Sequence, residues 1–194
     1  CAESTECAKA QRAEIAAGVE FREHSPFPCP ITIGTGQPSP EYPLPWMIQQ
    51  WIPGEVATPT GLGTSTTFAL DLGRLVTALR AADLKGRVFN GQGRGGRLPD
   101  HDGWMEVCFA KSEHLLDVQR LRSMWREMRA LPPAEREVMC HKDLIPANLL
   151  VRGEHLVAVL DTGSFGPADP ALDLVAGWHM LDQVARAAFR SAVQ

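Results

Sequence analysis

The stretch CHKDLIPANLLVRGEHLVAVLDTGSFG, residues 140–166, decides the fold of this chain. Within it, two apolar segments, LLV and LVAVL, flank the polar segment RGEH, a pattern typical of a β-hairpin. Two antiparallel strands joined by a tight turn return the chain to the level at which it started. Asn148 comes directly before the first strand and Asp161 directly after the second. We therefore expect their side chains to converge at the open end of the hairpin.

Three residues at the start of this stretch have the spacing HxDxxxxN: His141, Asp143 and Asn148. This is the spacing of the kinase catalytic loop, in which the Asp accepts the substrate hydroxyl proton and the Asn binds metal. The Asn148 amide and the Asp161 carboxylate also supply the hard oxygen ligands that magnesium takes together with phosphate oxygens. The bare spacing is equally compatible with Asp143 capping a turn, Asn148 capping a strand end and a core His141. The buried strand that ends at Asp161 favours the catalytic interpretation.

The same stretch resembles the aminoglycoside phosphotransferase family of small-molecule kinases. HKDLIPANLLV (141–151) and VLDTGSFGPADPALDL (159–174) resemble the family's catalytic loop, its metal-binding Asp and its Gly-x-x-Asp-Pro-Ala-x-x-Asp-Leu tail. EYPLPWMIQQWIPGE (41–55) resembles its hinge strand, and RGGRLPDHD (94–102) resembles its Arg-Gly-Gly loop. The resemblance runs from about residue 10 to about residue 190, with the motifs in the family's order.

This resemblance implies an α+β, protein-kinase-like fold. A remnant of the N-terminal lobe, residues 1–48, would join through a hinge at 49–54 to a mainly helical C-terminal lobe, residues 55–194, that carries the catalytic hairpin. It implies ATP, or GTP in its place, and Mg²⁺ as cofactors, and a small hydroxylated molecule as the partner. The family includes antibiotic kinases and kinases of sugars, choline-like alcohols and amino-acid-like substrates. The acceptor, a role in antibiotic resistance and the oligomeric state therefore stay open.

The resemblance also assigns roles in the catalytic loop. Asp143 would be the catalytic base and His141 would brace the loop, while Asn148 and Asp161 would hold magnesium. Asp173 would fix the loop from the helix that follows, and a plain carboxylate at a helix N-terminus is the alternative.

For the nucleotide, the resemblance points to backbone groups of Gln50 and Ile52 as contacts of adenine. Glu14 lies where the lobe helix carries the glutamate that pairs with a phosphate-binding lysine, and a solvated helix charge is the alternative. Neither that lysine nor a glycine-rich phosphate loop precedes Glu14. GTG at 34–36 and GQGRGG at 91–96 come too late, so we interpret the first as a strand turn and the second as a surface loop. We expect the chain to be the middle and catalytic part of a longer kinase.

Composition is compatible with this interpretation. The 194 residues are 44% hydrophobic with a net charge of −4, enough for one sizeable core. Scattered Lys and Arg do not suggest nucleic acid, and the apolar runs are too short to span a bilayer. Five cysteines, an odd number without a CxxC pair, favour reduced thiols and a cytoplasmic location over a disulfide framework. The dispersed His residues argue against zinc.

Hydrophobic periodicity gives the elements around the hairpin. Helices are predicted over 5–22, 66–82, 112–129 and 171–190, and strands at 31–33, within 46–52 and at 138–140. The second helix would place Leu72, Leu75, Val76 and Leu79 on one face. Residues 90–103 are interpreted as a loop.

Two features of the sequence depart from known patterns. Lys142 stands where this family usually has Gly, a position at which kinases tolerate a basic residue. Thr162-Gly163 stands where protein kinases have Phe-Gly, which favours a small-molecule kinase. Asp100 and Asp102 are candidates for binding a cationic acceptor, by their loop position alone.

Two rival interpretations remain. The chain could be a non-enzymatic pseudokinase or an inactive truncated nucleotide-binding module, which the missing phosphate loop supports and the intact Asp143, Asn148 and Asp161 oppose. A hydrolase with Cys140 or His141 as nucleophile and base is the second rival, and no nucleophile context supports it.

Overall fold

The computed structural model describes residues 2–91 and 93–194, with the backbone alone for residues 2–5. Cys1 and Gln92, which fall in the predicted N-terminal lobe and in the GQGRGG loop, lie outside the described residues. The helices are α1 (Ala2–His24), α2 (Pro59–Leu62), α3 (Thr66–Arg80), α4 (Asp102–Ser112), α5 (Val118–Arg129), α6 (Val175–Met180) and α7 (Gln183–Ala192). The strands are β1 (Thr32–Gly36), β2 (Trp46–Gln49), β3 (Glu55–Val56), β4 (Val138–Cys140), β5 (Leu149–Arg152), β6 (His155–Val159) and β7 (Gly166–Ala168). The mixture of helix and strand confirms the predicted α+β class.

The strands form three small antiparallel sheets, β1–β2, β3–β5–β6 and β4–β7. The predicted hairpin is β5–β6, in which Leu149 pairs with Val159 and Arg152 pairs with His155. Its turn contains Gly153 at φ +60°, a left-handed conformation that glycine adopts without steric cost. The sheet β4–β7 brings the strand before the catalytic loop beside the strand that follows Asp161.

The core is built on α3, whose predicted apolar face is confirmed. Leu72, Leu75, Val76 and Leu79 are each at most 1% exposed. Burying an aliphatic side chain of this size contributes roughly 1.5–3 kcal/mol, so this face supplies a large part of the stability. Ser65 begins the helix, because its hydroxyl accepts a hydrogen bond from the Phe68 N–H at 3.1 Å.

A buried carboxylate on α3 fixes the position of the hairpin. Asp71 is 7% exposed, and its Oδ2 accepts a hydrogen bond from the Leu156 N–H at 3.1 Å. The His155 ring lies 3.4 Å from the same oxygen. The β6 strand is therefore bound to α3 by its first two residues, His155 and Leu156.

The region before the catalytic loop differs from the prediction. The sequence predicts a single helix over 112–129, but α4 ends at Ser112 and α5 begins at Val118. Asp117 is the N-cap of α5, and its carboxylate accepts a hydrogen bond from the Arg120 N–H at 3.0 Å. Helix α4 also begins inside the predicted loop. The physical reason is tertiary, because Asp102 accepts hydrogen bonds from Trp125 and Arg129 and so ties α4 to α5.

The predicted turn at 34–36 is wrong, because these residues belong to β1. Gly36 pairs with Trp46 of β2, and the indole lies so close that a Cβ at this position would overlap it. Glycine serves close packing here, not a change of direction. The strand β2 is shorter than the segment predicted, although the Gln50 N–H still donates to the Ile31 carbonyl at 2.8 Å.

The C-terminal helices agree with the prediction over 171–190, with a break between α6 and α7 at Leu181–Asp182. Among the described cysteines, Cys7, Cys29, Cys108 and Cys140 are free. No helix in the described part of the chain is both long and apolar enough to cross a membrane.

Candidate active site

The catalytic loop is held by a carboxylate that comes from outside it. Asp173 is 2% exposed, and its two oxygens accept hydrogen bonds from the backbone N–H groups of His141 at 2.7 Å and Lys142 at 2.9 Å. Burial raises the pKa of Asp173, and these two N–H groups oppose that rise. Of the two interpretations of Asp173, the geometry supports the brace of the loop.

His141 forms the second brace, in agreement with the role expected for it. Its ring is fully buried, and Nδ1 accepts a hydrogen bond from the Asp143 N–H at 3.2 Å. Because Nδ1 is the acceptor, Nε2 carries the proton and donates to the Leu160 carbonyl at 2.9 Å. The ring thus links the catalytic loop to the end of β6. Phe21 of α1 packs against its edge, with ring centroids 5.6 Å apart.

Asp143 and Asn148 face each other across this loop. The Asn148 amide Nδ2 donates to the Asp143 carbonyl at 2.9 Å and approaches the Asp143 carboxylate at 3.4 Å. The carboxylate also forms an ion pair with Arg94, from the loop between α3 and α4. Asp143 is about one-fifth exposed, so its carboxylate remains accessible to a hydroxyl group.

The two ends of the hairpin meet where the sequence predicts. The Leu160 N–H donates to the Asn148 carbonyl at 2.8 Å, so the residue before Asp161 lies against Asn148. Asp161 follows at φ +52° and is exposed. Its carboxylate accepts no hydrogen bond from the described residues. That the side chains of Asn148 and Asp161 share one cation stays a prediction.

The donor set at this end of the hairpin fits magnesium. Because Asn148 Nδ2 is directed to Asp143, its Oδ1 faces the other way and is available as a ligand. The exposed Asp161 carboxylate is a second hard oxygen donor. Magnesium in nucleotide sites typically uses one or two carboxylates and completes its octahedron with phosphates and water, and these two residues meet that requirement.

Helix α1 brings Glu14 to the same place. Glu14 and Asp161 line one cleft together with Thr32 and Gln49, and burial followed by the Asp161 charge raises the pKa of Glu14. Gly163 makes this approach feasible, since a Cβ there would overlap the Glu14 side chain. Glu14 is partly buried, and its pairing with a phosphate-binding lysine stays a prediction.

The predicted hinge residues lie between β2 and β3. Ile52 is half-buried and Gln50 is exposed. The N–H of Gln50 is engaged by Ile31, which leaves its carbonyl as the group that could face adenine. Pairing of Glu55 with Val151 holds the end of this segment against the catalytic hairpin.

Two other sequence candidates have different surroundings. Cys140 is fully buried, and burial raises the pKa of its thiol far above the ordinary value, so it is a poor nucleophile and the hydrolase interpretation loses its support. The Asp102 carboxylate is bound by Trp125 and Arg129 of α5, and Asp100 pairs with Arg97. These two carboxylates are engaged within their own region of the chain.

Comparison with known proteins decides the family. The model of the phosphotransferase enzyme family matches residues 3–194, nearly the whole chain. The chain belongs to this family. The resemblance inferred from the catalytic and hinge motifs is thereby confirmed. No protein of curated function matches the chain by sequence.

Solved structures of phosphotransferases share the fold of this family member. The apoenzyme of macrolide 2'-phosphotransferase MphH from Brachybacterium faecium has a TM-score of 0.61 at 22% identity, over 96% of this chain and 65% of its own. The GDP and kanamycin complex of APH(2")-IIIa has a TM-score of 0.67 at 15% identity, over 95% and 68%. The streptomycin–ATP complex of APH(2")-IIa has a TM-score of 0.64 at 15% identity, over 95% and 66%. The chain thus spans about two thirds of the length of these relatives.

Two residues that shape the candidate site of this family member were missed from the sequence. Arg94 was assigned to a surface loop, and only its neighbours Gly93 and Gly95 could have signalled a constrained conformation. Asp71 binds the hairpin to α3. It could have been found from the sequence, because it is a carboxylate on the apolar side of an amphipathic helix.

Proposed function

We propose that this member of the phosphotransferase family transfers the γ-phosphoryl group of ATP to a hydroxyl group of a small molecule, with Mg²⁺, and with GTP as the alternative donor. The observation that carries the proposal is the arrangement around Asp143. Its carboxylate lies on a loop fixed by Asp173 and His141, with Asn148 beside it and the end of β6 in contact. This arrangement supports the proposal, because phosphoryl transfer uses a base with a metal-binding pair beside it.

In this mechanism Asp143 accepts the proton of the acceptor hydroxyl as the oxygen attacks the γ-phosphorus, and the bond from that phosphorus to the β–γ bridging oxygen breaks. Asn148 and Asp161 would hold magnesium, which neutralises charge on the phosphates. The braces keep the Asp143 carboxylate in one orientation, and most of the catalysis in such a reaction comes from positioning and charge neutralisation.

For the nucleotide, we propose that the segment 49–54 is the hinge between a partial N-terminal lobe, residues 1–48, and the helical lobe, residues 55–194. The Gln50 carbonyl and the Ile52 backbone would contact adenine, and Glu14 would pair with a phosphate-binding lysine. The structural relatives that contain GDP and ATP support a nucleotide cofactor. The free cysteines are compatible with a cytoplasmic location, which is part of the proposal.

The test is phosphoryl transfer by the full-length protein, screened with Mg–ATP over hydroxylated metabolites, aminoglycosides and macrolides. Asp143→Ala should lower turnover by about a hundred- to ten-thousand-fold, the usual contribution of a general base. Glu106→Ala is the matched control, because Glu106 is an exposed carboxylate on α4 with an Arg partner. Turnover of Asp143→Ala at the wild-type rate would rule out the proposed role.

The alternative is a pseudokinase or an inactive nucleotide-binding module. This alternative would be supported if the full-length protein bound nucleotide but neither phosphorylated any acceptor nor hydrolysed ATP.

A further inference from the structure

A second cleft lies on the other side of the catalytic loop. It has a volume of about 950 Å³ and lies between α1, residues 87–90 together with 93–94, and the segment 163–167. Its charged lining residues are Glu20, Arg87, Arg94 and Lys142. Glu20 is already engaged, since both its oxygens bind Arg87, at 2.9 and 2.7 Å, and Lys85 lies 3.1 Å away. The other cationic groups of the cleft are Arg94, which pairs with the Asp143 carboxylate, and Lys142.

The backbone presents Arg94 to the catalytic base. Gly93 and Gly95 flank it at φ +69° and +118°, conformations that L side chains rarely adopt. Gly95 is packed onto β7, where an added Cβ would lie 2.7 Å from the Ala168 Cβ, and its carbonyl accepts from the Asp169 N–H at 3.3 Å. The loop is thus attached to the sheet next to the catalytic loop, with the Arg94 guanidinium on the Asp143 carboxylate.

Lys142 is held next to Arg94 by its own neighbours. Its backbone has φ +74°, an unfavourable conformation for a residue with a Cβ, and its N–H is bound by Asp173. The ammonium lies 5.6 Å from the centroid of the Phe89 ring and hydrogen-bonds to no acceptor in the described part of the chain. The Glu137 and Asp173 carboxylates lie near it, although both accept backbone N–H groups. A partly buried ammonium in a cleft, without a hydrogen-bond acceptor among the described residues, attracts an anion.

We propose that Arg94 and Lys142 form a binding site for a phosphate-type oxyanion beside Asp143. A guanidinium matches the geometry of two oxyanion oxygens, and an ammonium adds a point charge. The proposal rests on the proposed phosphoryl transfer, and two sources supply such an oxyanion: the phosphoryl group in transit, or an anionic group of the acceptor. In either case Arg94 shifts part of its contact from Asp143 to the ligand, which frees the base for the hydroxyl proton.

Inorganic phosphate is the probe, titrated by calorimetry against the full-length protein. Arg94→Gln and Lys142→Gly should each weaken phosphate binding by about tenfold or more, the effect of a charge-assisted hydrogen bond of about 1.5–3 kcal/mol. Glycine is chosen at 142 because it removes the ammonium and suits the positive φ, so the variant should fold. Arg97→Gln is the matched control, since Arg97 lies on the same loop, is exposed and pairs with Asp100. Its phosphate affinity should equal the wild-type value.

A second titration, with Mg–ATP present, separates the two sources. Competition between Mg–ATP and phosphate assigns the site to the transferred phosphoryl group, and simultaneous binding assigns it to the acceptor. Absence of saturable phosphate binding, or equal affinity in all three variants and the wild type, overturns the proposal. The Asp143→Ala turnover assay is independent of this titration, so loss of turnover in that variant together with unchanged phosphate affinity in Arg94→Gln refutes the oxyanion site alone.

Discussion

Replacing Asp173 should destabilise the protein because this buried carboxylate accepts two backbone N–H groups of the catalytic loop, at 2.7 and 2.9 Å. A hydrogen bond to a charged group contributes about 1.5–3 kcal/mol to stability. When its buried donor is left without a partner, this whole contribution is lost. Asp173→Ala loses both bonds, a gross cost of about 3–6 kcal/mol. Removal of a desolvated charge offsets part of this cost. Asp173→Asn keeps one acceptor oxygen, so we expect roughly half the loss.

The assay is urea unfolding, analysed by linear extrapolation. Asp169→Ala is the matched control, because the Asp169 carboxylate accepts one N–H, from Ala171 at 2.8 Å, at an exposed site. We expect a loss of no more than about 1 kcal/mol there, the net contribution of an ordinary hydrogen bond.

The structure requires that the loss of unfolding free energy be largest for Asp173→Ala, smaller for Asp173→Asn and smallest for Asp169→Ala. An equal loss of unfolding free energy in Asp173→Ala and Asp169→Ala would refute the reasoning, since it would mean that the two buried bonds contribute no more than one at the surface. Turnover gives a second measurement: Asp173→Asn should lower kcat more than it raises KM, because the loop that carries the base loses its orientation.

Three further predictions follow from α1 and its neighbours. The raised pKa of Glu14 means that its ionised form weakens the folded state above its ordinary value of 4.5. In the 194-residue chain, Glu14→Gln should therefore raise the unfolding free energy at pH 7, by less than about 1 kcal/mol for a partly exposed group. The gain should vanish in urea titrations at about pH 4, where both side chains are neutral. Gly163→Ala should cost about 1–3 kcal/mol by overpacking against Glu14, and a double-mutant cycle with Glu14→Ala should recover most of that cost. The 194-residue chain on its own should bind Mg–ATP feebly in calorimetry and give no turnover, because no glycine-rich loop or lysine that could orient the phosphates precedes Glu14; tight binding together with phosphorylation of an acceptor would contradict this.

Much of the fold followed from local patterns. The hairpin, the apolar face of α3 and the strand at 138–140 each combine a hydrophobic period with a clear turn or cap signal, and the structure agrees with them. The boundaries at 112–118 did not follow, because a single helical period runs through a segment that the Asp117 cap interrupts. The strand at 34–36 was missed since its glycines carry no strand propensity, and Gly36 is required by the Trp46 ring across the sheet.

The proposed catalytic motif could be predicted from the sequence itself, because Asn148 and Asp161 stand at the two ends of one hairpin and Asp143 comes shortly before it. The contacts that make the motif a site were decided only by the tertiary structure. Asp173 and Arg94 come from 30 residues after Asp143 and 49 residues before it, on elements whose approach depends on the β4–β7 pairing and on Gly95 against Ala168. The hydrophobic periodicity of a single segment does not predict such a contact, since the contact arises from the packing of separate elements around one core.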